Sequence, residues 1–195
     1  MKKCIVISDY FKGTLSSQEI CEIARQSIPR IFPDCQIVAI PVADGGEGTV
    51  ECFIEAIGAV PVTVTVSGPF GEPVEATYAR KGPSAIIEMA SAAGLPMVGD
   101  RKDPETASTY GVGQLIRHAA EQGCTEILLG LGGSATNDGG CGCAAALGTR
   151  FLDAAGQAFV PVGGTLDRIA HIDLTKTRQL LARVKITVMC DVENP

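Results

Sequence analysis

Residues 126–147 read EILLGLGGSATNDGGCGCAAAL, and they indicate the fold class more clearly than any other part of the sequence. The opening residues of this stretch, 126–131, are mostly apolar and predict a buried strand, whereas the glycine- and alanine-rich residues 139–147 predict a helix. A loop of glycine, hydroxyl and amide residues joins the two. A buried strand that leads through such a loop into a helix is typical of an α/β fold.

The same alternation of strands and helices extends along the rest of the chain. Ser16 and Glu19 have the spacing of a capping box, which predicts the start of the first helix. Strict alternation on both sides of SGPFGEP predicts a β-hairpin over residues 60–80. The other predicted strands are 3–8, 36–42, 84–88, 149–153 and 185–190, and the predicted helices outside the quoted stretch are 16–31, 47–57 and 112–122.

The pattern changes from β-α units to a hairpin near residues 58–60, and we predict the internal boundary there. Residues 1–58 would form part of a first α/β domain, and residues 59–195 a second α/β segment that begins with the hairpin. The sequence ends just after a predicted strand, where an α/β protein would continue into a helix. We therefore expect the chain to be truncated at its C-terminus.

The composition limits the classes of partner. The chain has 195 residues, a formal net charge of -6 and 46% hydrophobic residues, which suits a globular core and offers no basic surface for nucleic acid. No apolar run is long enough to cross a membrane or to act as a signal peptide. We expect a cytoplasmic protein with reduced thiols, since its eight cysteines include no CxxC pair.

Two of these cysteines leave one alternative open. Cys141 and Cys143 lie close together in the sequence, and with His118 or His171 they contain the ligand types of a zinc site. Their spacing is not that of a usual zinc ligand pair, so buried thiols are the favoured interpretation.

Polar residues follow the strands repeatedly. In open α/β sheets, ligands bind beyond the carboxyl ends of the strands, where the following helices begin. We therefore expect these residues to converge on one site. They are Ser8, Asp9 and Lys12 after the first strand, Asp44, Gly45, Gly46 and Glu47 after the second, Glu88 after the strand at 84–88, residues 130–138 after the quoted strand, and Asp191 after the last.

The loop GLGGSATNDGG has the composition of an anion cradle, because glycine lets the backbone approach an anion and hydroxyl and amide groups add donors. An ordinary strand-to-helix turn would explain it equally well. A third interpretation is a dinucleotide-binding fingerprint formed by Gly130, Gly132 and Ala135, with Asp153 at the end of the next strand. The residues predicted to contact a phosphate or carboxylate are Gly132, Gly133, Ser134 and Asn137.

The acidic residues suggest metal binding or proton transfer. Asp44 and Glu47 flank a predicted helix start, where carboxylates can bind Mg²⁺, act as a general base or simply cap the helix. Asp191 has the same alternatives after the last strand, and Lys12 could neutralise a phosphate as a point charge. Ser108 and Thr109 precede a helix, so we expect a capping role first and a ligand contact second.

Seven segments, taken together and in order, resemble the type-1 glycerate kinases, and they cover essentially the whole chain. Tyr10 is a small departure, because family members commonly carry Ser there. The family also continues well beyond the last segment. The segments are DYFKGTLSS (9–17), PVADGGEGTVE (41–51), SGPFGEPVEA (67–76), IEMASAAGL (87–95), STYGVGQLI (108–116), LGLGGSATNDGGCGCAAALG (129–148) and CDVENP (190–195).

The resemblance implies two α/β domains, one of them flavodoxin- or Rossmann-like, with the site in the cleft between them. It also implies ATP and Mg²⁺ as cosubstrates and D-glycerate as the acceptor, with 2-phosphoglycerate favoured over 3-phosphoglycerate as product. On this basis we predict that Lys12, Asp44 and Asp191 are catalytic and that Asp44 and Asp191 hold Mg²⁺. The predicted substrate- and phosphate-binding residues are Ser8, Asp9, Gly45, Gly46, Glu47, Glu88, Ser108, Thr109, Gly132, Gly133, Ser134, Asn137 and Asp138.

Two other functions remain open from the sequence. The same loops could form a non-catalytic module that binds an anionic metabolite, or a dinucleotide-dependent oxidoreductase could use the fingerprint at residues 130–135. Self-association into a homo-oligomer is left open as well.

Overall fold

The structure is a computed structural model that describes residues 3–11 and 13–190. Its strands are β1 (Lys3–Ser8), β2 (Gln36–Pro41), β3 (Val60–Ser67), β4 (Pro73–Lys81), β5 (Ser84–Glu88), β6 (Glu126–Gly130), β7 (Arg150–Leu152), β8 (Ala158–Phe159), β9 (His171–Asp173) and β10 (Lys185–Met189). Its α-helices are α1 (Ser17–Ile31), α2 (Thr49–Ile57), α3 (Ala90–Ala93), α4 (Leu95–Val98), α5 (Tyr110–Glu121), α6 (Cys141–Ala146) and α7 (Thr175–Leu180), and a 3₁₀ helix covers Gly163–Arg168.

The strands form three sheets. The largest has the order β10-β6-β5-β4-β3, in which β10, β6 and β5 are parallel and β3, β4 and β5 are antiparallel neighbours. The strands β1 and β2 form a separate parallel pair, and β8, β7 and β9 form a small antiparallel sheet. The predicted α/β fold class is confirmed, including the hairpin of β3 and β4.

Two predicted helices begin later than expected. The helix predicted from residue 47 begins at Thr49, and the helix predicted from residue 139 begins at Cys141. In both cases the preceding glycines are left-handed, with φ of 85° at Gly48 and 75° at Gly140. A helix cannot run through such residues, so these glycines end the loop and precede the first helical residue.

The large sheet is covered on both faces. On one face, α5 contributes Leu115 and Ile116 to a core with Tyr78, Ile87 and Ile127 from the strands. On the other face, Val50 of α2 packs in a second cluster with Ala59, Ala79 and Ile86. Burial on both faces explains why β5 and β6 are continuous apolar runs rather than alternating ones.

The second cluster also crosses the predicted domain boundary. The helix α2 precedes residues 58–60 in sequence but contacts β4 and β5, which follow them. The division into residues 1–58 and 59–195 stays a prediction, and packing contacts join the two sides of it.

Two glycine loops join the two-stranded sheet to the large sheet. The backbone N–H of Gly132, after β6, donates a hydrogen bond to the carbonyl of Gly45, after β2, over 3.0 Å. A Cβ atom on Gly130 would lie 2.2 Å from the Gly45 oxygen, and one on Gly132 would lie 2.6 Å from Cα of Gly46. Only glycine allows the two backbones to pass this closely.

In the part of the chain that the structure describes, no helix combines the length and apolar character needed to span a bilayer.

The crossing of the glycine loops predicts a clear stability effect. We expect Gly132→Ala to lower the free energy of unfolding by about 1–3 kcal/mol, because the added methyl group must displace backbone. Gly164→Ala is the matched control, since the nearest atom to its new Cβ, which belongs to the Glu105 side chain, lies 3.3 Å away. Urea unfolding followed by circular dichroism measures both, and equal losses would contradict the prediction.

Candidate active site

The loop after β2 brings Asp44 and Glu47 to the carboxyl ends of the strands. The Oδ1 atom of Asp44 accepts a hydrogen bond from the N–H of Gly46 over 2.9 Å, which fixes the carboxylate against the turn. A Cβ on Gly46 would lie 3.1 Å from this oxygen and 3.5 Å from the hydroxyl of Tyr10. Gly46 therefore lies beside the side chains of both Asp44 and Tyr10, at the position where the β1–α1 and β2–α2 loops meet.

A cavity of about 450 Å³ opens next to this turn, and we call it the acidic crevice. Glu47, Glu51 and Glu88 supply its negative charge, and none of its described lining residues is Lys, Arg or His. Its remaining wall consists of Tyr10, Phe11, Gly48 and residues 13–18, which include the Ser16 cap of α1. An anionic ligand could enter only with a cation or with a basic group from elsewhere.

Glu88 is the most buried acid of the crevice, with 7% of its surface exposed. Its Oε2 atom accepts a hydrogen bond from the N–H of Val50 in the first turn of α2, and its Oε1 atom accepts one from the Ser91 hydroxyl. Burial raises the pKa of Glu88 to about 7, although these hydrogen bonds favour the charged form. Glu88 can therefore gain or lose a proton near neutral pH.

Tyr10 lies among these acids. Burial raises the pKa of its phenol, and Asp44, Glu47, Asp9 and Glu88 raise that pKa further through their charge. The phenol therefore stays neutral and can donate a hydrogen bond within an acidic environment. In the sequence, Tyr10 stood out only as a departure from the family that the chain resembles. Nothing in the sequence indicated that Tyr10 lies among acidic residues.

Ser8 is the last residue of β1 and Asp9 follows it, but neither is among the residues that line the crevice. The Ser8 hydroxyl donates to the carbonyl of Asp9, and the Asp9 carboxylate accepts from the N–H of Tyr10 over 2.8 Å. These contacts shape the loop that carries Tyr10. Direct contact of Ser8 or Asp9 with a substrate stays a prediction.

Asp138 is almost completely buried, with 1% of its surface exposed. Its carboxylate accepts hydrogen bonds from the N–H and hydroxyl of Thr109 and from the N–H groups of Gly140 and Gly142. The Thr109 hydroxyl in turn accepts from the N–H of Cys143. One carboxylate thus joins the starts of α5 and α6.

Ser108 belongs to the same network, since its hydroxyl lies 3.5 Å from the Asp138 carboxylate and accepts from the N–H of Tyr110 over 3.2 Å. The expected capping role of Ser108 and Thr109 agrees with these contacts. Ligand contacts by Ser108, Thr109 and Asp138 stay predictions, and their observed bonds support a positioning role instead.

The glycine-rich loop separates the acidic crevice from a second cavity of about 610 Å³, which we call the apolar cavity. A Cβ on Gly133 would lie 3.9 Å from Cγ of Glu47, on the crevice side. Ser134, Thr136 and Asn137 line the apolar cavity on the other side. The Ser134 and Thr136 hydroxyls are hydrogen-bonded to each other over 2.9 Å.

Two of the predicted catalytic residues, Lys12 and Asp191, lie outside the described residues. Of the predicted residues that are described, the structure brings Asp44, Gly45, Gly46, Glu47, Glu88, Gly132 and Gly133 to one place. The sequence analysis missed Glu51, which lies in the first turn of α2 and lines the acidic crevice.

The dinucleotide fingerprint is not supported by the geometry. A Rossmann fingerprint requires a helix that starts within the glycine loop, whereas here α6 starts only at Cys141 and Ser134 forms a β-bridge with Gly94. Asp153 follows β7, which pairs with β8 and β9 rather than with β6. The Asp153 carboxylate accepts hydrogen bonds from backbone N–H groups of its own turn.

The zinc alternative has no geometric support either. Among residues 3–11 and 13–190, no group of three or more His, Cys, Asp or Glu side chains could hold a metal ion. His118 is instead hydrogen-bonded through Nδ1 to the Tyr78 hydroxyl over 3.2 Å. Burial raises the pKa of Cys143 to about 12, so its thiol stays protonated.

Fold and residue placement together define an α/β protein with a candidate ligand site at the carboxyl ends of its strands. Comparison with known proteins gives the family. The family model described as "Glycerate kinase family" matches residues 4–195. The chain belongs to the glycerate kinase family.

Named relatives agree with this assignment. The chain is 43% identical to the glycerate kinase of Bacillus cereus (strain ATCC 10987 / NRS 248) and 42% identical to the glycerate 2-kinase of Escherichia coli (strain K12). Each alignment covers 99% of this chain and 51% of the relative. The chain therefore spans about half the length of the curated relatives it matches.

A solved structure shows the same fold. The crystal structure of a protein assigned as glycerate kinase 2 from Salmonella typhimurium LT2 is 43% identical and matches with a TM-score of 0.83. The match covers 99% of this chain and 52% of that one.

The burial of Glu88 predicts a pH dependence of stability. Its folded pKa of about 7 lies above the ordinary value of 4.5, so the folded chain binds more protons than the unfolded chain between these values. The free energy of unfolding should therefore fall by up to about 3 kcal/mol as pH rises through this window. Glu88→Gln, which cannot ionise, should lose that part of the dependence.

Urea unfolding of both proteins at pH 5, 6, 7 and 8 measures this difference. Parallel stability curves for the wild type and Glu88→Gln would show that Glu88 ionises normally in the folded chain.

The Asp138 network predicts a large effect of a small substitution. Asp138→Asn replaces an acceptor with an NH₂ group that faces backbone donors, and we expect a loss of about 3 kcal/mol in the free energy of unfolding. Asp173→Asn is the control, because the Asp173 carboxylate also accepts a backbone N–H, that of Thr175, but at an exposed turn. Thermal and urea unfolding should show a much smaller loss there. Similar losses in the two variants would contradict the prediction.

Proposed function

We propose that this chain contributes the phosphoryl-transfer site of an ATP-dependent glycerate kinase. The reaction moves the terminal phosphoryl group of ATP onto a hydroxyl of D-glycerate. The observation that carries the proposal is the close contact of the two glycine loops, which holds the turn with Asp44 against the glycine-rich loop. The chain in which this contact occurs matches the glycerate kinase family over residues 4–195.

Phosphoryl transfer needs mainly positioning and neutralisation of charge. The glycine-rich loop offers backbone that an anion can approach at Gly133, which is exposed, whereas the N–H of Gly132 already bonds the Gly45 carbonyl. The acidic crevice beside it repels an anion unless a cation accompanies the ligand. This combination suits a nucleotide that arrives with a divalent metal ion.

Carboxylate oxygens are the ligands that Mg²⁺ prefers, and Mg²⁺ commonly binds through one or two carboxylates together with substrate phosphates. Asp44 fits this role, because its Oδ1 atom is fixed by Gly46 and its carboxylate lies beside the crevice. We propose Asp44 and Asp191 as the Mg²⁺ ligands and Lys12 as a phosphate contact. Bound Mg²⁺ would neutralise charge on the transferred group.

The acceptor hydroxyl must lose a proton during transfer. Glu88 lines the crevice and has a pKa near neutrality, which suits a general base. Asp44 and Asp191 are the other candidates for this role. Tyr10 can donate a hydrogen bond to an oxygen of the bound acid.

For the product we propose 2-phosphoglycerate, on the basis of the relative from Escherichia coli, which is named glycerate 2-kinase. We also propose a cytoplasmic location. The buried thiols of Cys21, Cys52 and Cys124 are free, and such thiols persist in a reducing compartment.

The function is tested by ADP release from ATP and Mg²⁺ in the presence of D-glycerate, using the full-length protein. We expect Asp44→Asn to lower kcat/KM by at least about 100-fold, because charge stabilisation at the transferred group is lost. Asp34→Asn is the matched control, since Asp34 is exposed in the α1–β2 turn and should leave turnover unchanged. Normal turnover in Asp44→Asn would reject the assignment.

Phosphorus NMR of the product identifies the hydroxyl that accepts the phosphate. A signal of 3-phosphoglycerate would overturn the proposed regiochemistry but not the kinase. Nucleotide and glycerate binding without ADP release would favour a non-catalytic binding module.

A further inference from the structure

The apolar cavity has a volume of about 610 Å³, and the proposed chemistry assigns no ligand to it. It lies between the end of β6, the helix α6 and the start of α7. Leu129, Val112 and Leu147 line its inner part and are buried. A pocket of this size and lining suits an organic molecule that places most of its surface in contact with apolar side chains.

The charge of the lining excludes an anion as the occupant. Asp138 is the only Asp, Glu, Lys, Arg or His among the described lining residues, and its carboxylate is occupied by backbone and hydroxyl donors. Glycerate is small, polar and anionic, so the apolar cavity offers it no compensating group. A neutral, flat and largely apolar group matches this lining better.

Hydroxyl groups at two places could orient such a group. The Thr149 and Thr177 hydroxyls are hydrogen-bonded to each other over 2.7 Å and line the cavity. Ser134 and Thr136 form a second hydroxyl pair at the glycine-rich loop. Hydroxyls can donate or accept, which suits the mixed donor and acceptor edge of a purine and the hydroxyls of a ribose.

The position of the cavity links it to the proposed reaction. Ser134 lines the apolar cavity, and its neighbour Gly133 lies against Glu47, which lines the acidic crevice. A single stretch of backbone thus has the apolar cavity on one side and the acidic crevice on the other. A ligand with an apolar end and a charged end could bind across it.

We infer that the apolar cavity binds the nucleoside of ATP, with the triphosphate passing over Gly132–Ser134 toward Asp44 and the acidic crevice. This inference rests on the proposed kinase function and adds the location of the nucleotide. Base recognition depends on apolar contact and on the hydroxyls of Thr149 and Thr177. D-Glycerate binds on the crevice side of the glycine-rich loop.

Ala144→Leu tests the inference, because Ala144 lines the cavity on α6 and the larger side chain fills part of it. We expect the Kd for ATP, measured by calorimetry with Mg²⁺ and without glycerate, to rise about tenfold or more. The KM for D-glycerate should stay unchanged. Ala145→Leu, on the same helix but outside the cavity lining, is the matched control and should leave the Kd for ATP unchanged.

Thr177→Val gives a second test if Ala144→Leu lowers the thermal unfolding midpoint. It keeps the shape of the side chain and removes a hydroxyl, and we expect about a fivefold rise in the Kd for ATP. Unchanged affinity in both variants would overturn the inference.

Photolabelling with 8-azido-ATP locates the base directly. Label in peptides covering residues 129–149 or 174–177 supports the inference, whereas label in residues 13–18 overturns it. Phosphate transfer with unaltered ATP affinity in the variants would support the kinase function and overturn the nucleoside site. ATP binding in the cavity without phosphate transfer would support the nucleoside site and overturn the kinase function. If the protein bound no ATP, both proposals would be overturned.

Discussion

The structure depends on the close passage of two loops that carry no side chains at their crossing. The N–H of Gly132 binds the carbonyl of Gly45, and neither Gly130 nor Gly132 leaves room for a Cβ atom. This contact sets how far the acidic turn after β2 lies from the glycine-rich loop after β6. Because the constraint is on backbone distance, it fixes the site more tightly than contacts between flexible side chains would.

Two buried carboxylates in the site show how burial and hydrogen bonding oppose each other. Asp138 accepts from several N–H and hydroxyl groups, so its charge is compensated and it can hold two helices together. Glu88 has fewer donors, and desolvation therefore dominates its pKa. The first carboxylate suits a structural role, and the second suits a role in which a proton is exchanged.

Much of the fold could be predicted from the sequence. The strands and the capping box at Ser16 rely on local patterns, and the structure confirms them. The apolar residues of β1 and β2 are not all buried, however, since Ile5, Ile7 and Ile40 are exposed. The strands β8 and β9 were not predicted because they are too short to show periodicity. The helix α7 was missed for the same reason, so nothing in the sequence indicated that Thr177 faces a cavity.

The candidate site was only partly predictable. Strand ends indicated Asp44, Glu47 and Glu88, since a parallel sheet brings such residues to one edge. Sequence could not show that Asp138 is enclosed by backbone donors, because Thr109 and Gly142 are distant from each other along the chain. Nor could it show that Tyr10 lies beside Gly46, since that proximity depends on how two loops meet in space.

The partition between the two cavities consists of main chain without bulky side groups. Residues on its two sides belong to different helices, since Glu51 of α2 lines the acidic crevice and Cys143 and Ala144 of α6 line the apolar cavity. Evolution or protein engineering could thus retune each compartment separately, by substitutions that leave the other untouched. The partition itself offers no such freedom, because a Cβ on Gly130 or Gly132 would clash with the backbone of Gly45 and Gly46, and Gly133 has a φ of 73° that disfavours other residues.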